Sequence, residues 1–431
     1  MNRPGQTLLS RLNFSESKKS LHVTPQAPIS AHTVLGILSQ LRSGYLTITL
    51  PNGEVNTFGN AADALHADIQ VLDWSFFKQL LSHGDIGFAE SYIRGEWNTS
   101  NLKAILELAI RNRTILEKAI YGSWLGSILY RLKHCLRDNS KAGSRKNIHA
   151  HYDLGNAFYS LWLDPTMSYS SAWFSDGHKQ TLAEAQRAKI KRILTSLATK
   201  PGDHILEIGC GWGGVMEEAL CNETAITGLT LSTEQKTYAE NRLANLSSQI
   251  PGAKHFEVRL QDYRDCQEQF EGIASVEMFE AVGEKHWSEY FQTIAKCLKT
   301  GGKACVQTIV IAEELFERYR HNTDFIQQYV FPGGMLPSRT SFKASAAKAG
   351  LQIENEFAFG GDYAKTLCLW RDSFNSKLQE VRQLGFDEAF IRLWNFYLMY
   401  CAAGFAERNI DVVQFTLSHQ HNSASRDAIK A

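Results

Sequence analysis

Between residues 206 and 214 the sequence reads Leu-Glu-Ile-Gly-Cys-Gly-Trp-Gly-Gly, which sets a carboxylate, Glu207, just ahead of glycines at 209, 211 and 213. Glycine there permits positive φ and lets the backbone approach a ligand closely, at the strand-to-helix junction where α/β sheets bind theirs. The spacing is not the dinucleotide form, because Trp212 alone separates the second and third glycines. A tight turn without a ligand fits the same residues, so the loop by itself leaves both readings open. Metal chemistry has little support. The eight cysteines (135, 210, 221, 266, 297, 305, 368, 401) are scattered without a CxxC pair, and no ligand cluster accompanies His149 and His151. No metal is expected.

Such a loop needs a strand to lead into it and a helix to leave it. An apolar strand over 204–208 and a helical stretch over 215–220 supply both. Strand 225–231, helix 232–246, strands 255–260 and 274–279, a helix, and strand 303–311 follow, and this alternation predicts a parallel, doubly wound sheet. Residues 353–359 and 366–370 read as two further strands separated by a loop. Ahead of the block, residues 45–55 show strand, Asn-Gly turn and strand, a hairpin signature. Helical spacing over 71–83 and 102–112 completes a small α+β domain over 29–115, in which 84–92 with Gly95, Glu96 and Trp97 reads as a loop entering a helix. In the linker over 116–148, Trp124, Leu125, Ile128, Leu129 and Leu132 precede a basic run of Arg131, Lys133, Arg137, Lys141, Arg145 and Lys146. That pattern fits an interfacial helix on anionic lipid and a solvated linker equally. A domain over 149–415 follows, and 1–28 and 416–431 are expected to be flexible tails.

Composition sets outer bounds. With 431 residues, 44% hydrophobic, the chain is long enough for two cores. Lys plus Arg equals Asp plus Glu at 45 each, so no global field recruits nucleic acid and any electrostatic targeting is local. Scattered cysteines, no signal-type segment and no long apolar run predict a reducing, cytoplasmic setting.

Set beside the loop, residues 151–156 (His-Tyr-Asp-Leu-Gly-Asn) and 167–174 (Met-Ser-Tyr-Ser-Ser-Ala-Trp-Phe) make the chain resemble the cyclopropane-fatty-acyl-phospholipid synthases and mycolic acid methyltransferases. Gln261–Asp265, Met278–Gly283, Tyr329–Ser338 and Gly361–Tyr363 extend the resemblance in the family's order, over roughly residues 84 to 415. It implies a class I S-adenosylmethionine methyltransferase fold, Rossmann-like with a mostly parallel α/β sheet, whose antiparallel end suits the last two expected strands. It further implies that Tyr169 and Ser170 help hold the methionine part of S-adenosylmethionine. Glu207, Gly209, Cys210, Gly211, Trp212 and Gly213 would run beside this cofactor, Thr230 to Gln235 would meet its ribose side, and Asp262 and Tyr263 would grip adenine. Many class I methyltransferases end the second strand in a carboxylate; Thr230 stands here, as in this family. Packing or capping remains the alternative for Tyr169 and Asp262.

The implied reaction is methyl transfer to a cis double bond in the acyl chain of a membrane phospholipid, followed by loss of a proton from the resulting cation. In cyclopropane synthases the resemblance implies a bicarbonate ion as base, held by a Cys, a Glu, a His, a Tyr and a backbone amide. Glu280, Tyr363 and the amide of Ile309 match three of these, whereas the Cys is Ser171 and the His is Gln307. A further family His is Ala281. Gln cannot titrate, so a relay near neutrality is lost. Glu277 stands where the synthases have a small residue, and reads either as an alternative base or as a cap or ion pair away from the site. Cys401 matches a synthase cysteine proposed as catalytic, but an apolar helix disfavours its thiolate and packing is the expectation. Residues 173–174, 325–331 and 394–405 are candidates for an acyl tunnel, or are ordinary core. The expected product carries a cyclopropane ring; a methyl-branched or methylated unsaturated chain is the rival, and a non-catalytic lipid-binding protein is a different class. Peripheral contact with an anionic membrane at its inner face accompanies either enzyme reading.

Overall fold

A computed structural model describes residues 27–120, 154–248 and 255–420. The basic run over 131–146, the apolar residues before it, and His149 and His151 lie outside the described residues, as do positions 1–26 and 421–431.

The chain starts with α1 (Ile29–Leu38), β1 (Tyr45–Thr49), β2 (Val55–Gly59), β3 (His66–Val71), α2 (Ser75–Ile93), β4 (Trp97–Asn98), α3 (Leu102–Arg111) and α4 (Arg113–Ile120). β1 and β2 form the expected antiparallel hairpin, and the four strands make a sheet in the order β2-β1-β3-β4. Burial alternates along β1 and β2, the period-2 signature of a sheet with one face on a core. Two sequence expectations change here. Val71 ends β3 rather than opening a helix, and residues 84–92 are the second half of α2, not a loop. The helix kinks at Gly84, whose φ of 57° and ψ of −129° only glycine adopts readily.

The second block comprises α5 (Gly155–Trp162), α6 (Leu182–Leu197), β5 (His204–Ile208), α7 (Gly214–Cys221), β6 (Ala225–Thr230), α8 (Thr233–Ser247), β7 (Phe256–Leu260), β8 (Phe270–Val276), α9 (Trp287–Cys297) and β9 (Leu298–Ile311). It continues through α10 (Glu313–His321), α11 (Phe325–Tyr329), α12 (Arg339–Lys348), β10 (Leu351–Ala358), α13 (Gly360–Ser376), α14 (Leu378–Gln383), α15 (Glu388–Ala406) and β11 (Ile410–His419). Seven strands pair in the order β10-β11-β9-β8-β5-β6-β7. The five from β9 to β7 are parallel, and β11 runs antiparallel between β9 and β10. β5 and β6 are buried along nearly their whole length, as strands covered by helices on both faces must be.

The expected strand over 366–370 is instead part of α13. The antiparallel partner comes from β11, so residues 416–419 belong to the sheet and not to a tail. Two apolar clusters pack the faces of the large sheet, and a third joins its edge to the small sheet. The third runs from Leu35 and Ile48 through Trp162 and Trp370 to Trp394 and Val412. α15 joins the two sheets: Arg392 donates to the carbonyl oxygens of Trp97 (2.7 Å) and Tyr92, and Phe396 packs against Phe88, Tyr92 and Phe325. Among the described residues no helix is long and apolar enough to cross a membrane.

Candidate active site

β5 delivers the chain into the glycine loop, where Gly209, Gly211 and Gly213 take φ values of 83°, 51° and 81°. A methyl added at Gly209 would lie 2.9 Å from Cγ of Met278, whereas at Gly211 it would meet nothing within 4 Å. Gly211 therefore leaves room where a ligand would lie. A cavity of about 180 Å³ opens over the C-terminal ends of β5 and β6, the position where open α/β sheets bind ligands. Tyr169, Ser170, Glu207, Gly209, Cys210, Gly211, Trp212, Thr230, Gln235, Asp262 and Tyr263 line it. Gly213 does not; it opens α7 with Ala239 Cβ 3.2 Å from its missing side chain, and so shapes the turn rather than the wall.

Local bonds fix these walls. Thr230 Oγ1 donates to Gln235 Oε1 (2.9 Å), and Trp212 Nε1 donates to Asn156 Oδ1 (2.7 Å). Both carboxylate oxygens of Asp262 accept from Arg264, at 2.7 to 2.8 Å. Sequence reasoning missed Lys189, which is only 1% exposed and donates from Nζ to Ser170 Oγ (2.6 Å). Burial depresses its ammonium to about 8, against the pull of Glu277, Asp164 and Glu207. Burial likewise raises Glu207 to about 8, only partly offset by Lys189. Glu207 Oε2 is buried with no hydrogen-bond partner among the described residues. An unpartnered acceptor on the wall and the open space at Gly211 fit a ligand carrying hydrogen-bond donors, as S-adenosylmethionine does.

A second, larger cavity of about 550 Å³ meets the first at Tyr169, Glu277 and Ala281, which line both. Glu277 sits just past the end of β8 with φ of 49°, a strained conformation for a residue with a Cβ. Its Oε1 accepts from the Ser171 amide (2.9 Å) and Gln307 Nε2 (2.8 Å), and its Oε2 accepts from the Tyr363 hydroxyl (2.6 Å). The Ser171 hydroxyl turns away to the carbonyl of Ala172 (2.9 Å), so its backbone, not its side chain, serves the site. Glu280 Oε1 accepts from the amide of Ile309 and from Thr308 Oγ1 (3.0 Å). Behind them, Gln414 Nε2 donates to Gln307 Oε1 (3.0 Å) and fixes its amide.

Four of the five positions matched to a bicarbonate site thus hold carboxylates of the chain itself: Ser171, Gln307 and Tyr363 hold Glu277, and the Ile309 amide holds Glu280, which is the fifth position. Burial raises the Glu277 carboxyl, opposed first by the Tyr363 bond and then by Lys189. Burial, and after it Glu277, pushes Glu280 up to about 8. Cys401 lines the larger cavity but contacts none of these groups through a hydrogen bond described here, and burial pushes its thiol well up. Of the tunnel candidates, Phe331, Phe396, Tyr397 and Phe405 line the larger cavity. Trp173 and Phe174 line neither; Trp173 packs on Phe357, and Lys365 lies over the Phe174 ring.

A mostly parallel seven-stranded sheet with a ligand cavity at the glycine turn defines a class I methyltransferase fold. The sequence profile described as mycolic acid cyclopropane synthetase matches residues 139–415. The chain belongs to that family. It is 38% identical to the tuberculostearic acid methyltransferase of Mycobacterium tuberculosis, over 78% of this chain and 79% of the relative. With the cyclopropane-fatty-acyl-phospholipid synthase of Escherichia coli it shares 34% identity, over 82% and 88%. The structure of a mycolic acid cyclopropane synthase complexed with SAH and CTAB superposes with a TM-score of 0.59 at 32% identity, covering 63% of this chain and 97% of that one. The protein is an S-adenosylmethionine-dependent methyltransferase acting on fatty acyl chains.

Proposed function

We propose that the enzyme methylates a cis double bond in the acyl chain of a membrane phospholipid and closes a cyclopropane ring, with Glu277 as the base. The observation that carries this reading is the Glu277 carboxylate, held by Ser171, Gln307 and Tyr363 at the meeting point of the two cavities. S-adenosylmethionine, when bound, supplies an electrophilic methyl on sulfur. The alkene π pair forms the new C–C bond as the C–S bond breaks, leaving a carbocation on the chain. Positioning accounts for most of that step. Tyr169, which lines both cavities and whose hydroxyl bonds that of Tyr397 (2.7 Å), holds the boundary between donor and acceptor. Tyr363 and Phe405, stacked at 4.4 Å, offer ring faces that favour positive charge nearby.

Proton removal from the transferred methyl then lets its C–H pair close the ring, and Glu277 Oε2 accepts the proton. A carbocation is so acidic that a hydrogen-bonded carboxylate suffices as base, and Gln307, which cannot titrate, serves by fixing Glu277. A side-chain carboxylate on these donors does the work expected of a bicarbonate ion. The rival, in which the cation undergoes a hydride shift, loses a proton from another chain carbon and leaves as a methyl-branched, still unsaturated chain, is favoured by the 38% identity to a relative called a methyltransferase.

The test is to supply methyl-deuterated S-adenosylmethionine with vesicles of cis-monounsaturated phospholipid and weigh the released fatty acids. Gain of a CD₂ unit is the expected result. Retention of three deuterons would replace ring closure by branching, and failure to bind S-adenosylmethionine in calorimetry would favour a non-catalytic lipid-binding protein. Peripheral attachment to an anionic membrane belongs to the same reading; binding to anionic vesicles is expected to weaken as salt rises.

A further inference from the structure

The larger cavity does not stop at the methyltransferase sheet. From Glu277 and Tyr169 it follows α15 past Tyr397 and Phe405 and reaches Val34 and Leu38 of α1, Leu46 and Ile48 of β1, Ile69 of β3 and Phe76 of α2. All six are buried and apolar; Leu46 is 1% exposed and Ile48 0%. At another part of the wall stand Arg318 and Asn322, both exposed. One cavity therefore has a polar, solvent-facing rim, a carboxylate junction, and an apolar arm inside the small sheet. Polar residues also line it beside the arm, Ser82, His83 and Asp85 of α2 and Arg113 of α4, so the apolar arm is the part walled by the small sheet, and an amphiphile suits the cavity with its methyl end there and its headgroup at a polar part of the wall. The family profile begins at residue 139, so these six positions lie outside the part of the chain it matches.

We propose that the small sheet of the N-terminal unit holds the methyl end of the acyl chain. It receives the chain beyond the double bond, and Leu46, Ile48 and Ile69 set how many carbons can follow the methylated position. The proposal rests on the acyl-methylation reading and adds a length filter to it. Each methylene that leaves water for the arm favours the longer substrate by about 0.8 kcal/mol, roughly fourfold in kcat/KM, until the arm is full.

The experiment uses the full-length enzyme and two phospholipids with a cis double bond at the same distance from the carboxyl end, one with a short and one with a long segment beyond it. Ile48→Phe fills the arm and is expected to lower kcat/KM for the long-tailed lipid at least tenfold relative to the short-tailed one. Leu46→Ala enlarges it and is expected to move the ratio the other way, by about fourfold. Because the readout is a ratio on one protein sample, partial loss of folded enzyme cancels, and either variant alone decides. A ratio within twofold of wild type in a variant that turns over either lipid overturns the proposal. Wild type that methylates neither lipid would instead overturn the acyl-methylation reading beneath it.

Discussion

The two cavities that meet at Glu277 are built in opposite ways. The cofactor side is small and made from chain segments that are contiguous in sequence: the glycine loop, the turn from Thr230 to Gln235, and Asp262 with Tyr263. Each segment leaves the end of a parallel strand, so the sheet register alone brings them together. The acyl side is three times larger, mostly apolar, and assembled from helices and a second sheet distant in sequence. A polar ligand of fixed shape needs particular atoms at particular places, whereas a hydrocarbon tail needs only volume and the exclusion of water. Substitutions on the two sides should therefore separate cleanly: one set changes cofactor affinity, the other changes lipid choice, and only the junction changes the chemical step.

The junction gives the largest expected effect. Glu277→Gln keeps the size of the side chain and removes the base, and kcat should fall about 10²- to 10⁴-fold. Cofactor affinity measured by calorimetry should change little. Unimpaired turnover in this variant would remove Glu277 from the chemistry and return the role of base to a small anion or water.

On the cofactor side alone, Gly211→Ala puts a methyl into the open space at the loop and forces alanine to hold a φ of 51°. The conformation itself costs about 1–2 kcal/mol. S-adenosylmethionine affinity should weaken by more than that strain accounts for, while the ratio of long- to short-tailed lipid turnover stays at the wild-type value. A changed lipid ratio would break the separation of the two sides.

Glu280 lies on the acyl side and tests the electrostatics of the junction. An unfolded glutamate titrates near 4.3, whereas burial and the neighbouring Glu277 carry the folded group to about 8. Between those values the folded state retains a proton that the unfolded state has released, so this group makes stability fall as pH rises through that window. Glu280→Gln removes the dependence. Its Tm relative to wild type should rise from pH 5 to pH 8, and a constant difference would mean that Glu280 ionises normally.

The same contrast explains what could be read from the sequence. Eleven of the twelve residues expected at the cofactor come together around the smaller cavity, because glycine-rich turns and strand-end motifs are local patterns. Glu277 was visible as a carboxylate in an unusual place, but its engagement with Ser171, Gln307 and Tyr363 depends on segments more than 100 residues apart in the first case. Residues 366–370, Thr-Leu-Cys-Leu-Trp, form a short apolar run that periodicity cannot assign between buried strand and buried helix; they lie in α13, with Trp370 fully buried. Lys189 had a signal that went unused. It falls on the stripe of Ala185, Gln186, Ile190, Ile193 and Leu197 that α6 buries, where a lysine needs a reason. The apolar arm had none, since Val34, Leu46 and Ile69 look like any core residues until the fold leaves space between them.

The smallest effect probes the boundary itself. Tyr169 lines both cavities, and its hydroxyl bonds the hydroxyl of Tyr397 on the acyl side at 2.7 Å. Tyr169→Phe keeps the ring against Trp162, Trp212's neighbour Tyr159 and Trp370, and removes the hydroxyl that makes that bond. A single hydrogen bond contributes about 1 kcal/mol net, and leaving a buried partner unsatisfied costs about 1–3 kcal/mol, whereas removing both partners is nearly neutral. Tyr397→Phe should therefore destabilise about as much as Tyr169→Phe, and the double variant should be less destabilised than the sum of the two, a coupling measurable by denaturant unfolding of all four proteins. Because the hydroxyl's partner Tyr397 lines only the larger cavity, KM for phospholipid should rise while S-adenosylmethionine affinity holds. Additive losses, or a cofactor affinity that falls with the hydroxyl, would show that the Tyr169 hydroxyl serves the methionine end of the cofactor instead of the wall between the two ligands.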